Sequence, residues 1–262
     1  MTEKLSNAPI YYALAQAQFN HIGAMHRYVN EVQDQLRKNG YVLFETQQST
    51  QLEMGPNVHE PQVNHTITWV ITNRERTAGY VIGPSFITYH TTHYTTKDDF
   101  IPELIRGIEA VHSVVNLDHV DRLGIRYLDA VLPKVGESIE QYLVEGVCGP
   151  KHNGNKRFGI SESVYNTDTG PMVSNGTLIS RVYQTTSVLG IPGDLSEITL
   201  VPMERFKPDT PIKHAVIDTD HFVEGNIPLR FDLLDMQLRN MHKISSDSFK
   251  NNVKKYALES WA

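Results

Sequence analysis

Val120–Leu132 reads VDRLGIRYLDAVL, and this stretch near the middle of the chain decides the reading of the fold. Leu123, Ile125 and Tyr127 alternate with Arg122, Gly124 and Arg126. A period of two in a run rich in β-formers marks a strand whose two faces differ chemically. One face is apolar, and the other sets two arginines around a glycine. On either side of this strand the same order of elements is written once.

Upstream, Ala8–Phe19 alternates as a first strand, and Met25–Asn39 takes helical spacing with Met25, Val29, Val32 and Leu36 on one stripe. Asn39-Gly40 ends that helix, since glycine accepts the left-handed geometry of a helix terminus. Strands are expected at Tyr41–Met54, His65–Asn73, Ala78–Ile82 and Phe86–Tyr94, the first two joined by a loop rich in Pro and Asn. Ile67, Trp69 and Ile71 mark a buried face. A helix opens near Thr96–Asp99, where short polar side chains accept free backbone N–H groups. Pro102 falls in its first turn, and Phe100, Leu104, Ile108, Val111 and Val115 make its stripe.

Downstream the order returns. Val120–Leu132 is the strand and Glu137–Val144 a short helix. Strands follow at Arg157–Asn166, Thr177–Ser187, Ile198–Phe206 and His214–Val223. A last helix runs from Pro228 towards Trp261 with Phe231, Leu234, Leu238, Met241, Phe249, Val253 and Ala257 on its apolar side. Ser245-Ser246 is the expected kink, because serine competes for backbone hydrogen bonds.

The expectation is an α+β fold of two β-α-β4-α repeats, residues 1–118 and 119–262, packed as one continuous unit. What repeats is element order rather than residues. Such a chain forms a curved antiparallel sheet with its helices on one face, which resembles the saddle of the TATA-box-binding protein. Architecture of that kind leaves function open.

Composition narrows the function classes. The 262 residues are 40% hydrophobic and 21% charged, ordinary for a globular protein. A formal charge of −6 counts against broad nucleic-acid binding, which depends on Lys and Arg neutralising phosphates. One cysteine, Cys148, excludes an internal disulfide and fits a reducing compartment. The opening MTEKLSNAP has no apolar leader, and no run of about eighteen apolar residues occurs. The reading is therefore a cytoplasmic protein without a membrane partner.

Four short motifs, NAPI at the first strand, LGIRYLD at Leu123–Asp129, AVIDTDHF at Ala215–Phe222 and the C-terminal ALESW, together span the chain. In combination they resemble a sporadically distributed bacterial protein family of unassigned function. That family pattern has a strand like LGLRYIN, a strand like LDIDHF and a terminal tryptophan, which fall here on Leu123–Asp129, Ile217–Phe222 and Trp261. Asp129 stands where the pattern has Asn. Sporadic distribution implies an accessory role such as phage defence or toxin neutralisation, with a neighbouring gene product as protein partner.

Arg126 on the central strand and Asp218 and Asp220 on VIDTDHF form the sharpest constellation, with Arg122 and His221 beside them. Residues two apart in a strand share a face, so both aspartates look the same way. If the last strand of each half lies beside its first, Arg126 faces these carboxylates, with Gly124 leaving room. A carboxylate pair serves acid–base work, half of a metal site, or the fork of an arginine. Structural pairing is the commonest of these outcomes. The twelve histidines show no zinc-ligand spacing, so no metal or cofactor is expected. Phosphate-loop, dinucleotide and serine-hydrolase motifs are also missing. The Gly- and Pro-rich segments Gly146–Asn155 and Val188–Asp194 read as connections. The leading expectation is a non-catalytic protein that binds a macromolecular partner. The alternatives are nucleic-acid binding on a basic concave face, and an enzyme built on Asp218 and Asp220.

Overall fold

A computed structural model describes residues 5–53, 62–150, 152–154, 156–195, 200–207 and 209–262. They form an α+β fold on one nine-stranded antiparallel sheet that does not close on itself. Its strands are β1 (Ile10–Gln18), β2 (Leu43–Glu53), β3 (Gln62–Thr72), β4 (Ala78–Gly83), β5 (Phe86–Thr91), β6 (His119–Val131), β7 (Phe158–Asp168), β8 (Asn175–Ser187) and β9 (Ile212–Pro228). The helices are α1 (Met25–Arg37), α2 (Lys97–Val115), α3 (Ile139–Tyr142), α4 (Glu145–Cys148), α5 (Phe231–Asn252) and α6 (Lys255–Trp261). Strand order is β2-β3-β4-β5-β1-β6-β9-β8-β7. The central β6 thus lies between β1 and β9, and the closing strand of each half does pair with the opening one. None of the helices of the described residues is long and apolar enough to cross a membrane.

Helical packing follows the stripes read from sequence. Met25, Val29, Val32 and Leu36 of α1 and Phe100, Leu104, Ile108 and Val111 of α2 enter one core with Leu123, Ile125 and Tyr127 of β6. Leu234, Leu238 and Met241 of α5 join them. Farther along the same sheet face, Val131 and Ile217 pack against Ile139, Tyr142, Ala257 and Trp261. Burial of these apolar faces, rather than intrinsic propensity, holds such short elements in place.

Four expectations need correction. The strand at Ile198–Phe206 does not form within the described residues. Leu200–Met203 is irregular, Pro202 having no N–H for a ladder, and Glu204–Phe206 closes a 3-10 turn. The second half therefore has three strands after its helix where four were expected. The helix expected at Glu137–Val144 is only the single turn α3, ended by an extended Leu143 that bridges to Val253, and α4 follows as a separate turn. That bridge also sets the break between α5 and α6 at Val253, not at Ser245-Ser246. Ser245 donates back to the Met241 carbonyl at 2.9 Å without interrupting α5. Pro102 sits in the second turn of α2, because the helix already begins at Lys97 behind a Thr96 cap. The loop between β2 and β3, and residues 196–199, which include the first two of the expected strand, lie outside the described residues.

Candidate functional site

The sheet face turned away from the helices carries the polar constellation. Antiparallel register sets Arg126 opposite Asp220, Leu128 opposite Asp218 and Gly124 opposite Phe222. On the next strand Arg181 stands opposite Asp218 and Ile179 opposite Asp220. All these side chains share one face because positions paired across strands point the same way.

Arg126 reaches diagonally past Asp220 to Asp218. Its Nε donates to Oδ1 at 2.8 Å and its Nη2 to Oδ2 at 2.7 Å, a two-pronged fork. Asp194, from the loop after β8, closes over the other side of the guanidinium, accepting from Nη1 at 2.6 Å and Nη2 at 3.2 Å. Arg181 adds a second cation 3.5 Å from Asp218 and also pairs with Glu162 of β7. The Asp218 side chain is fully buried and that of Arg126 is 7% exposed. Burial works against the Arg126 charge, but its hydrogen bonds to Asp218 and Asp194 outweigh that and raise its pKa. The same contact with Arg126 holds the Asp194 carboxyl below its usual range.

Asp220 differs. It is half-buried and has neither a hydrogen bond nor an ion pair within the described residues. Burial raises its pKa, partly offset by the nearby Arg126 and Arg122 charges. Arg122 lies over the Phe222 ring, its Cζ 4.1 Å from the centroid, and its Nε 3.6 Å from Glu224. Gly124 makes room for that stack rather than for Arg126. A Cβ there would sit 3.3 Å from the Phe222 Cβ and 3.4 Å from Arg122 Nη1.

His221 does not belong to this cluster. It points to the helix side, wholly buried, where Nδ1–H donates to the Met241 carbonyl at 3.0 Å. That fixes the tautomer, so Nε2 accepts from Thr167 Oγ1 at 2.8 Å. Burial lowers its pKa, which keeps the ring neutral and structural.

The segment Val188–Asp194, expected as a plain connection, is part of the site. It packs Leu189 and Ile191 over Tyr11, Tyr12, Leu128 and Val216, and the Tyr11 hydroxyl donates to the Gly190 carbonyl at 2.8 Å. Between this segment and β7–β8 lies a cleft of about 280 Å³ walled by Tyr11, Phe158, Tyr183, Val188, Ile191 and Pro192. It opens onto β7, the last strand of the sheet, where Phe158, Ile160 and Val164 are 60%, 55% and 61% exposed. A larger cleft, about 760 Å³, begins at the same edge, with Phe158 and Ile160 on one wall and Lys156, Lys213 and Lys254 around it. Cys148 also lines it, but burial pushes its thiol up, away from a reactive thiolate.

Sequence reasoning brought Arg126 and Asp218 together and missed Asp194, Arg181 and Tyr183. The alternation Ile179, Arg181, Tyr183 in β8 was a readable signal, since that strand had to face β9. Asp194 had none beyond an acidic residue closing a turn. Among the described residues no three His, Cys, Asp or Glu side chains are grouped to hold a metal ion. No family model matches the chain, and no curated protein is similar to it in sequence.

Proposed function

We propose that this chain is a non-catalytic protein-binding module that takes an extended segment of a macromolecular partner along β7 and across the open sheet face. One observation carries this reading: an eleven-residue edge strand exposes three large apolar side chains on a single face. Edge strands with free N–H and C=O groups and alternating apolar side chains pair with added strands unless charge or proline blunts them. Along the outward face of β7 the charges are Glu162, which Arg181 already holds, and Asp168 at the end of the strand.

Charge on the open face favours protein over nucleic acid. Arg122, Arg126 and Arg181 each have a carboxylate partner, so little positive field is left for phosphates. The closed fork between Arg126 and Asp218 likewise counts against catalysis by the Asp218/Asp220 pair. Asp220 is the carboxylate left over, and a basic side chain of the partner completes it. The same reading takes residues 1–118 and 119–262 as two related halves of a saddle like that of the TATA-box-binding protein. The matching places of β5 beside β1 and β9 beside β6 support it.

The test is affinity capture from the native host with the wild-type chain and with Ile160→Lys/Val164→Lys. A defined protein bound by the wild type and lost by the variant supports the proposal. Equal capture by both overturns it. Sedimentation in parallel detects self-pairing through β7, which would replace the partner by a second copy.

A further inference from the structure

On the opposite side of the sheet, β6, β9, α5 and the segment before β1 line a partly open cavity of about 140 Å³. Its walls are mostly apolar or aromatic, including Ile10, Tyr94, Tyr127 and Phe249. Two polar side chains face it without partners. Asp129 is 7% exposed and has neither a hydrogen bond nor an ion pair within the described residues. Thr219, 1% exposed, has a buried Oγ1 that makes no hydrogen bond. Buried polar groups are nearly always satisfied, so the orphaned Thr219 Oγ1, next to an Asp129 carboxyl without a partner among the described residues, calls for a group that satisfies both.

We infer that this cavity binds a small organic cation, a primary ammonium on a short apolar stem. Among the described residues neither Lys nor Arg lines it, so no cation of theirs neutralises Asp129 or would attract an anion. A lone carboxylate with hydroxyls falls short of the six or more oxygens a hard divalent cation takes. An ammonium donates to Asp129 and to Thr219 Oγ1, and the faces of Tyr94, Tyr127 and Phe249 favour its charge. The apolar stem fills the rest; a cavity of about 150 Å³ accommodates a benzene, which sets the size at about five or six heavy atoms. The part-exposed Leu5, Ala8 and Ser246 in the lining give it a route to solvent. Burial pushes the Asp129 carboxyl up to about 8, so it takes the ammonium as a carboxylate by releasing its proton, and binding strengthens as pH rises towards 8.

The experiment is calorimetric and NMR titration of the full chain with n-butylammonium and with n-butanol, its neutral analogue. Saturable binding of the ammonium is expected, with resonance shifts confined to β6, β9 and α5 and with butanol at least about tenfold weaker. Asp129→Asn, checked by thermal melting to be folded, is expected to lose about tenfold or more in affinity, and Thr219→Val to lose less. Equal binding of butanol, undiminished binding by folded Asp129→Asn, or no saturable binding of the ammonium each overturns the assignment. The outcome is independent of the β7 surface, which lies on the other face of the sheet.

Discussion

Arg126 and Asp218 meet on adjacent strands through two parallel hydrogen bonds of 2.7 and 2.8 Å, at a place where the carboxylate has no contact with solvent. A buried charge without its partner costs more than the pair contributes, so the relationship is asymmetric. Removing one member is severe, whereas removing both is mild.

Arg126→Ala is therefore expected to lower unfolding free energy by about 3–5 kcal/mol, because Asp218 is left charged and buried beside Arg181 alone. Arg126→Lys is also expected to destabilise, since an ammonium is a point donor and cannot fork. Arg126→Met/Asp218→Leu should recover much of the loss. Urea unfolding of the three variants measures this, and additive losses in the double variant would contradict the fork.

The Asp129 cavity gives the chain a distinctive pH dependence. With its carboxyl pushed up to about 8, the folded state holds a proton that the unfolded chain has already released above pH 4. Stability contributed by that proton is full at low pH and is lost as pH rises from about 4 to about 8. Across the cavity, Tyr94 and Tyr127 are raised by burial and His242 is lowered to about 4, so all three stay neutral between pH 5 and 8. Asp129→Asn is expected to melt higher than wild type at pH 8 and to converge with it near pH 5. The difference in melting temperature across that range isolates Asp129 from the other titrating groups.

Trp261 ends α6 in a nest of rings, with centroids 5.8 Å from Tyr142 and 6.0 Å from Phe249. Its carbonyl accepts from the Asn7 N–H at 2.9 Å, which ties the last helix to the segment before β1. Trp261→Ala is expected to cost about 3–5 kcal/mol through the cavity it leaves. Melting followed by circular dichroism reads this directly, and an unchanged transition would mean that the ring packing contributes nothing.

What could be read from sequence and what could not divides along physical lines. The stripes of α1 and α2, and the two faces of β6, were legible because hydrophobic periodicity reports the core directly. Arg126 and Asp218 were legible because strand pairing brings together residues from known faces. His221 went to the wrong side of the argument, though it is odd-numbered in a strand whose even positions carry Asp218 and Asp220. Asp194 was hidden because irregular chain has no period, and its docking on Arg126 is set by Leu189 and Ile191 packing elsewhere. The break at Val253 was hidden for a similar reason, being fixed by a bridge to the distant Leu143 rather than by the neighbouring serines.

Edge strand β7 leads to the final prediction. Ile160 and Val164 are more than half exposed, so replacing them removes little buried apolar area. Ile160→Lys/Val164→Lys is expected to change unfolding free energy by no more than about 0.5 kcal/mol per site. Charges on an edge strand also oppose strand addition, since an incoming chain would have to desolvate them. The double variant should thus keep its melting transition, lose self-association at high concentration if any occurs, and lose the captured partner. A Val182→Ala variant serves as the contrast, because that side chain is buried against the α6 side of the sheet and truncation leaves a cavity. It is expected to lower stability while sparing partner capture under conditions where it remains folded. If the lysine pair unfolds the protein instead, the β7 side chains belong to the core, and the edge of the sheet is closed to a partner.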